Sequence, residues 1–76
     1  MRNKIRLDTS SDVREFIKIV DGIPSNVKIT VSDGTGDFIV NGRSFLGLLY
    51  ASAEFPELWI ETDQDIYDKI MNFVTE

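Results

Sequence analysis

The sequence contains neither cysteine nor histidine, and it has only two prolines and no long run of apolar residues. Without cysteine there is no disulfide and no thiolate metal site, so the stability of the fold must come from apolar burial. Without histidine there is no imidazole to act as a base or to carry a phosphoryl group. Residues 1–7 are charged and no apolar run follows them, so we expect a cytoplasmic protein without a secretory signal or membrane span.

Basic residues are in the minority, with eight lysines and arginines against thirteen acidic residues and a net charge of −5. This charge repels phosphate backbones and anionic lipids, so we expect neither nucleic acid nor a membrane as a partner. We also expect no cofactor and no metal ion. Gly34 and Gly36 lack the Gly-Lys-Ser/Thr of a phosphate-binding loop, and Asp63 and Asp65 lack the glycine and glutamate of an EF-hand.

Apolar periodicity predicts four strands and three helices in the order βαββαβα. The predicted elements are, in chain order, a strand at residues 4–8, a helix at 12–22, a hairpin of strands at 27–32 and 38–40, a short helix opening at 45, a strand at 58–60 and a helix at 66–74. Each helix has a single apolar stripe, so the helices should cover one face of the sheet. We therefore expect an α/β (α+β) open-faced two-layer sandwich with a mainly antiparallel four-stranded sheet.

Hydroxyl and carboxylate side chains precede each predicted helix and are its expected caps: Ser10, Ser11 or Asp12 for the first, Ser44 for the second, and Thr62 or Asp63 for the last. In the fourth strand, alternation assigns Leu58 and Ile60 to the buried side. Trp59 should consequently lie on the open face of the sheet.

Residues 40–49, with the sequence VNGRSFLGLL, place a basic residue, a serine, two apolar residues and a glycine at the start of the second helix. This segment resembles the corresponding part of the HPr phosphocarrier family, which has the same βαββαβα order. Residues 57–60 and 66–74 are similar to the fourth strand and last helix of that family, although the connection between them is shorter here. The resemblance implies a single HPr-like domain over residues 1–76.

HPr proteins carry phosphate on a histidine at the start of the first helix, with a phosphate-binding arginine two residues later and then a proline. Here Asp12 stands in place of the histidine, Arg14 is retained, and Glu15 replaces the proline. The resemblance therefore implies a non-enzymatic module rather than a carrier. The alternative is a divergent phosphocarrier of a sugar phosphotransferase system that takes phosphate on Asp12 or Ser44; for Asp12, a helix cap is the simpler interpretation.

In many HPr proteins the serine that matches Ser44 is phosphorylated by a dedicated kinase, and the modified protein acts as a corepressor. The resemblance thus implies a regulatory phosphorylation site at Ser44, whose hydroxyl is also suited to cap the second helix. Apolar residues more than fill one face of that helix, with Leu46 and Leu49 the expected outward pair. We expect a protein partner to contact the following residues: Asp12, Arg14, Arg43, Phe45, Leu46 and Leu49.

Overall fold

Alternating apolar residues and segments with helical apolar spacing build one antiparallel sheet and three helices in residues 1–75, the part of the chain described by this computed structural model. In chain order the elements are β1 (Arg2–Ile5), α1 (Ser10–Asp21), β2 (Ile29–Ser32), β3 (Ile39–Asn41), α2 (Phe45–Glu54), β4 (Leu58–Thr62) and α3 (Tyr67–Ile70), followed by a 3₁₀ turn at Met71–Phe73. The strand order is β1-β4-β2-β3, and every neighbouring pair is antiparallel. The predicted element order and antiparallel sheet are confirmed.

One face of the sheet is buried against the helices. Ile60 lies opposite Val31 in the register, Leu58 lies opposite Ile5, and all four side chains are buried. The helices add these buried side chains to the same cluster: Val13, Phe16 and Val20 from α1, Leu48 and Ala51 from α2, and Ile70 from α3. Burial of a single face by single helical stripes gives the expected open-faced sandwich.

The opposite face of the sheet carries Trp59, as the alternation along β4 predicts. The guanidinium of Arg2 lies 4.2 Å from the centre of the Trp59 ring. Lys4 Nζ is 3.0 Å from Glu57 Oε1. The hydrogen bond from Lys4 and its positive charge hold the pKa of the Glu57 carboxyl below its ordinary value, with a further contribution from Trp59. Charged groups on this face are thus largely paired with one another.

The hairpin loop between β2 and β3 depends on its glycines. Gly34 and Gly36 both have φ of 90°, a conformation that side chains with a Cβ rarely adopt. Gly34 also lies against the indole of Trp59, because a Cβ at this position would be only 2.7 Å from Trp59 Cδ1. The predicted hairpin is therefore confirmed, and its loop covers part of the open face.

The first strand ends earlier than the sequence predicts, at Ile5 rather than at residue 8. Leu7 is buried as expected, but it lies outside the sheet. The register pairs Ile5 with Leu58, so Leu7 would face Pro56, which has no N–H to donate to a neighbouring strand. The Arg6 amide instead donates to Phe73 O at 2.8 Å, on the other side of β1.

The predicted last helix over residues 66–74 is wrong in length and in its cap. Only Tyr67–Ile70 is α-helical, and no side chain caps it. The Thr62 hydroxyl donates to the carbonyl of Gln64, while Asp63 Oδ1 accepts the Lys28 amide at 3.0 Å. Beyond the 3₁₀ turn the chain becomes extended, and Val74 bridges to Ile5. Pairing with the free edge of β1 replaces the helical hydrogen bonds that the periodicity predicted.

Candidate functional site

The start of α1, where the HPr resemblance locates a phosphate site, is a capping box built on Thr9. Thr9 Oγ1 accepts the Asp12 amide at 3.1 Å, and Asp12 Oδ2 accepts the Thr9 amide at 3.2 Å. The expectation that Ser10, Ser11 or Asp12 is the N-cap is therefore wrong: Asp12 is the third helical residue and Thr9 is the cap. The Thr-x-x-Asp spacing, a variant of the usual Ser/Thr-x-x-Glu pattern, is the signal that sequence reasoning missed.

The carboxylate of Asp12 is engaged at this helix start. Asp12 Oδ2 also accepts the amide of Asp8 at 2.9 Å, in addition to that of Thr9. Arg14 is exposed, and within residues 1–75 it makes no hydrogen bond and no ion pair. Residues two apart on a helix point in different directions, so Arg14 is not aimed at Asp12. In the described part of the chain, no contact of Asp12 or Arg14 favours the carrier alternative.

Ser44 is the N-cap of α2, which confirms the predicted cap. Its Oγ accepts the Gly47 amide at 3.1 Å, and its own amide donates to Asn41 O at 3.0 Å. Gly47 is a glycine for a steric reason, because a Cβ there would lie 2.2 Å from Val40 Cγ2 and 3.0 Å from Ser44 Oγ. Gly47 thus lets α2 lie close to β3, despite the low helix propensity of glycine. Phosphorylation of Ser44 stays a prediction.

The guanidinium of Arg43 binds backbone carbonyls of the protein. Its Nη1 donates to Val20 O at 2.6 Å and Ile23 O at 3.2 Å, and its Nη2 donates to Pro24 O at 2.9 Å and Val27 O at 3.0 Å. These carbonyls belong to the end of α1 and the loop that follows it. Only the Nε hydrogen remains for another acceptor. The bonds of Arg43 favour a structural role over the partner contact that the resemblance implied.

The outer side of α2 exposes two large apolar side chains. Leu46 is 75% exposed and Tyr50 is 55% exposed, and their spacing of four residues sets them in one stripe. Leu48 is buried, whereas Phe45 and Leu49 are half-buried and pack against the core. The expected outward pair of Leu46 and Leu49 is therefore half right, with Tyr50 as the second outward residue.

Two further aromatic rings support Tyr50. Phe38 lies just before β3 and Phe55 just after α2, and their ring centres are 4.8 Å apart. The Tyr50 ring centre lies 5.7 Å from that of Phe38 and 6.4 Å from that of Phe55. We call these three rings together with Leu46 the α2 surface. The sequence predicted Phe38 as the first residue of the strand at 38–40, whereas β3 is Ile39–Asn41, and neither Phe38 nor Phe55 was predicted to belong to this surface.

Helices α1 and α2 run in opposite directions, and this places the predicted site residues Asp12 and Ser44 far apart. β1 and β3 run in opposite directions across the sheet, so the helices that follow them also run in opposite directions. Arg43 accordingly meets the end of α1, while Phe55 shares a cleft of about 440 Å³ with Asp8, just before α1. Ser44 and Asp12 consequently lie at opposite ends of the helix pair, and the aromatic end of α2 is the one beside the start of α1.

No protein-family model, curated protein or solved structure matches the chain. Within residues 1–75, no helix has both the length and the apolar character needed to cross a bilayer. In the same residues, no three side chains of the metal-ligating types come together. What the α2 surface does must be inferred from its own residues.

Proposed function

We propose that this chain is an HPr-like, non-catalytic interaction module that binds a cytoplasmic protein partner through the α2 surface, with Ser44 as a phosphorylation switch. The observation that carries the proposal is the exposure of Leu46 and Tyr50 on one helical stripe. Large apolar side chains that are grouped on a surface, with aromatic residues among them, are typical of protein contact sites.

The packing around Tyr50 supports a role in binding. Contacts with Phe38 and Phe55 restrict the Tyr50 ring before any partner arrives. A side chain that is already ordered loses less conformational entropy on binding, so more of its contact energy contributes to affinity. Exposed tyrosines of this kind are common among the residues that dominate binding energy.

The position of Ser44 supports the switch. Ser44 caps the N-terminus of α2, where free backbone amides and the helix dipole stabilise a negative charge. A phosphoryl group on Ser44 Oγ would add about two negative charges next to the stripe that begins at Leu46. Such a change would alter partner binding without unfolding the helix.

Site-specific photo-crosslinking tests the docking surface. We would place the photoreactive residue benzoylphenylalanine at position 46 on α2, and in a control protein at position 18 on the exposed side of α1. We expect a discrete crosslinked protein from position 46 in cells of the source organism, its loss on adding Tyr50→Ser, and no such product from position 18. Identical products from both positions, or none from position 46, would contradict docking through α2.

Phosphorylation is tested separately, by incubating the protein with an HPr kinase or with a phosphoenolpyruvate-driven phosphotransferase. The switch predicts one phosphate from the kinase, mapped to Ser44 by peptide mass and absent in Ser44→Ala. A label on Asp12 from the phosphotransferase would instead support the carrier alternative. No label from the kinase would remove the switch from the proposal.

A further inference from the structure

The stripe that Leu46 and Tyr50 form along α2 ends in the acidic residue Glu54. Glu54 lies four residues after Tyr50 and eight after Leu46, so these three residues follow one line along the helix. The Glu54 carboxylate is exposed, and within residues 1–75 it has no ion pair or hydrogen bond. The last turn of α2 contains no basic residue to offset the negative end of its dipole.

A second acid lies beside the aromatic end of this surface. Asp37 directly precedes Phe38, whose ring contacts Tyr50. The Asp37 carboxylate is also exposed, and it has no partner in the described part of the chain. The nearest basic residue in sequence to α2 is Arg43, and its guanidinium faces the carbonyls at the end of α1. Within residues 1–75, the α2 surface is therefore flanked by two acids that have no ion pair. Lys4 and Arg6 line the cleft beside Phe55, but each is already paired with another acid.

We propose that the occupant of the α2 surface is a cationic amphipathic helix, whose apolar side chains cover Leu46 and Tyr50 and whose lysine or arginine pairs with Glu54. This inference rests on the proposed function. Leu46 and Tyr50 are one helical turn apart, a spacing that matches the i, i+4 stripe of a second helix laid along α2. The bound partner would exclude water from around the Glu54 carboxylate. A lysine or arginine of the partner would then replace the lost hydration with an ion pair.

The test uses two fluorescein-labelled synthetic helices with the same leucine stripe, one with lysine and one with glutamate at its polar positions. Fluorescence anisotropy would measure the binding of each peptide to the intact protein at low and high salt. We expect the lysine peptide to bind at least about tenfold more tightly than the glutamate peptide, with affinity falling as salt rises. Leu46→Asp should abolish this binding, since Leu46 is mostly exposed and the variant should still fold by circular dichroism.

Two variants with the same change in net charge distinguish an ion pair between Glu54 and the peptide from a general attraction of the lysine peptide to an acidic protein. Glu54→Gln and Asp68→Asn each remove one negative charge, but Asp68 lies on α3. We expect Glu54→Gln to weaken binding of the lysine peptide by about three- to tenfold and to reduce its salt dependence, and Asp68→Asn to have little effect. Equal effects of the two variants would overturn the pairing of Glu54 with a cation.

The remaining outcomes distinguish this inference from the proposed function. If both peptides bind equally and both require Leu46, docking through α2 stands and the cationic partner is wrong. If the lysine peptide does not bind while position 46 still gives its specific crosslink, a helix of this chemistry is likewise excluded. If sedimentation of the protein alone shows a dimer that Leu46→Asp dissociates, a second copy is the occupant and the inference is overturned.

Discussion

Arg43 joins the end of α1 to the start of α2 through four hydrogen bonds from one guanidinium. A planar guanidinium presents its donors in a fixed fork, which suits several carbonyl acceptors at once, whereas a lysine ammonium is a compact group at the end of a flexible stem. Three of the four acceptors lie in partly buried surroundings, where a carbonyl that loses its donor costs free energy. At the scale of the residue, Arg43 therefore holds the loop after α1 in place, alongside the buried side chains of Ile23 and Val27.

Replacing Arg43 by lysine should lower the free energy of unfolding by about 2 kcal/mol, because an ammonium cannot serve all four carbonyls. Urea unfolding followed by circular dichroism measures this change. Arg14→Lys is the matched control, since Arg14 is exposed without a partner in residues 1–75, and it should change stability by less than about 0.5 kcal/mol. Similar losses in the two variants would show that the four bonds do not stabilise the protein.

At the scale of the element, α1 is specified at its start by two reciprocal hydrogen bonds. Thr9 caps the helix with its hydroxyl, and Asp12 returns a bond to the Thr9 amide. Neither Ser10 nor Ser11 is the cap, although both are residue types that favour that position, because both lie within the helix. Because Thr9 is the extended residue directly before the first turn, its side chain rather than that of Ser10 or Ser11 acts as the cap.

Thr9→Ala should destabilise the protein by about 1 kcal/mol, since the amide of Asp12 loses its side-chain acceptor. Ser10→Ala is the control at one of the three residues that the sequence offered as caps, and we expect it to leave stability nearly unchanged. Thermal or urea unfolding of the two variants decides between the two caps. A larger loss in Ser10→Ala than in Thr9→Ala would contradict the capping box.

At the scale of the whole molecule, residues 73–75 close one edge of the sheet. The Arg6 amide donates to Phe73 O at 2.8 Å, and the Thr75 amide donates to Lys4 O at 2.9 Å. The Phe73 ring meets Phe16 edge-on, with 5.5 Å between ring centres, which anchors this segment to the core. The outer edge of β1 is thereby protected from pairing with another chain.

Phe73→Ala should lower the free energy of unfolding by about 2 to 3 kcal/mol, because the residue is only half-buried but its ring is the anchor of the segment. Amide hydrogen exchange by NMR should become faster at Arg6 and Thr75, relative to amides shared by β2 and β4. Met71→Ala, at a residue that is 54% exposed, should have a much smaller effect on both measurements. Unchanged exchange at Arg6 in Phe73→Ala would show that the edge closes without this anchor.

Several features could be predicted from the sequence because they depend on neighbours within a few residues. Helical spacing predicted the buried stripe of Val13, Phe16 and Val20, and alternation predicted burial on either side of Trp59. The hydroxyl of Ser44 caps α2 through an amide only three residues away. The same local patterns determined the order βαββαβα and hence the open-faced sandwich.

Only the tertiary structure decided the features whose partners are distant along the chain. β1 ends at Ile5 because of its pairing with β4, and the last helix is shortened where Val74 pairs with β1. Arg43 faces inward because the end of α1 supplies carbonyls, and Tyr50 rather than Leu49 points outward because of how α2 rests on the core. A local pattern states which side of an element is apolar, but hydrogen bonds and contacts with remote segments determine where the element ends and which side chains remain exposed.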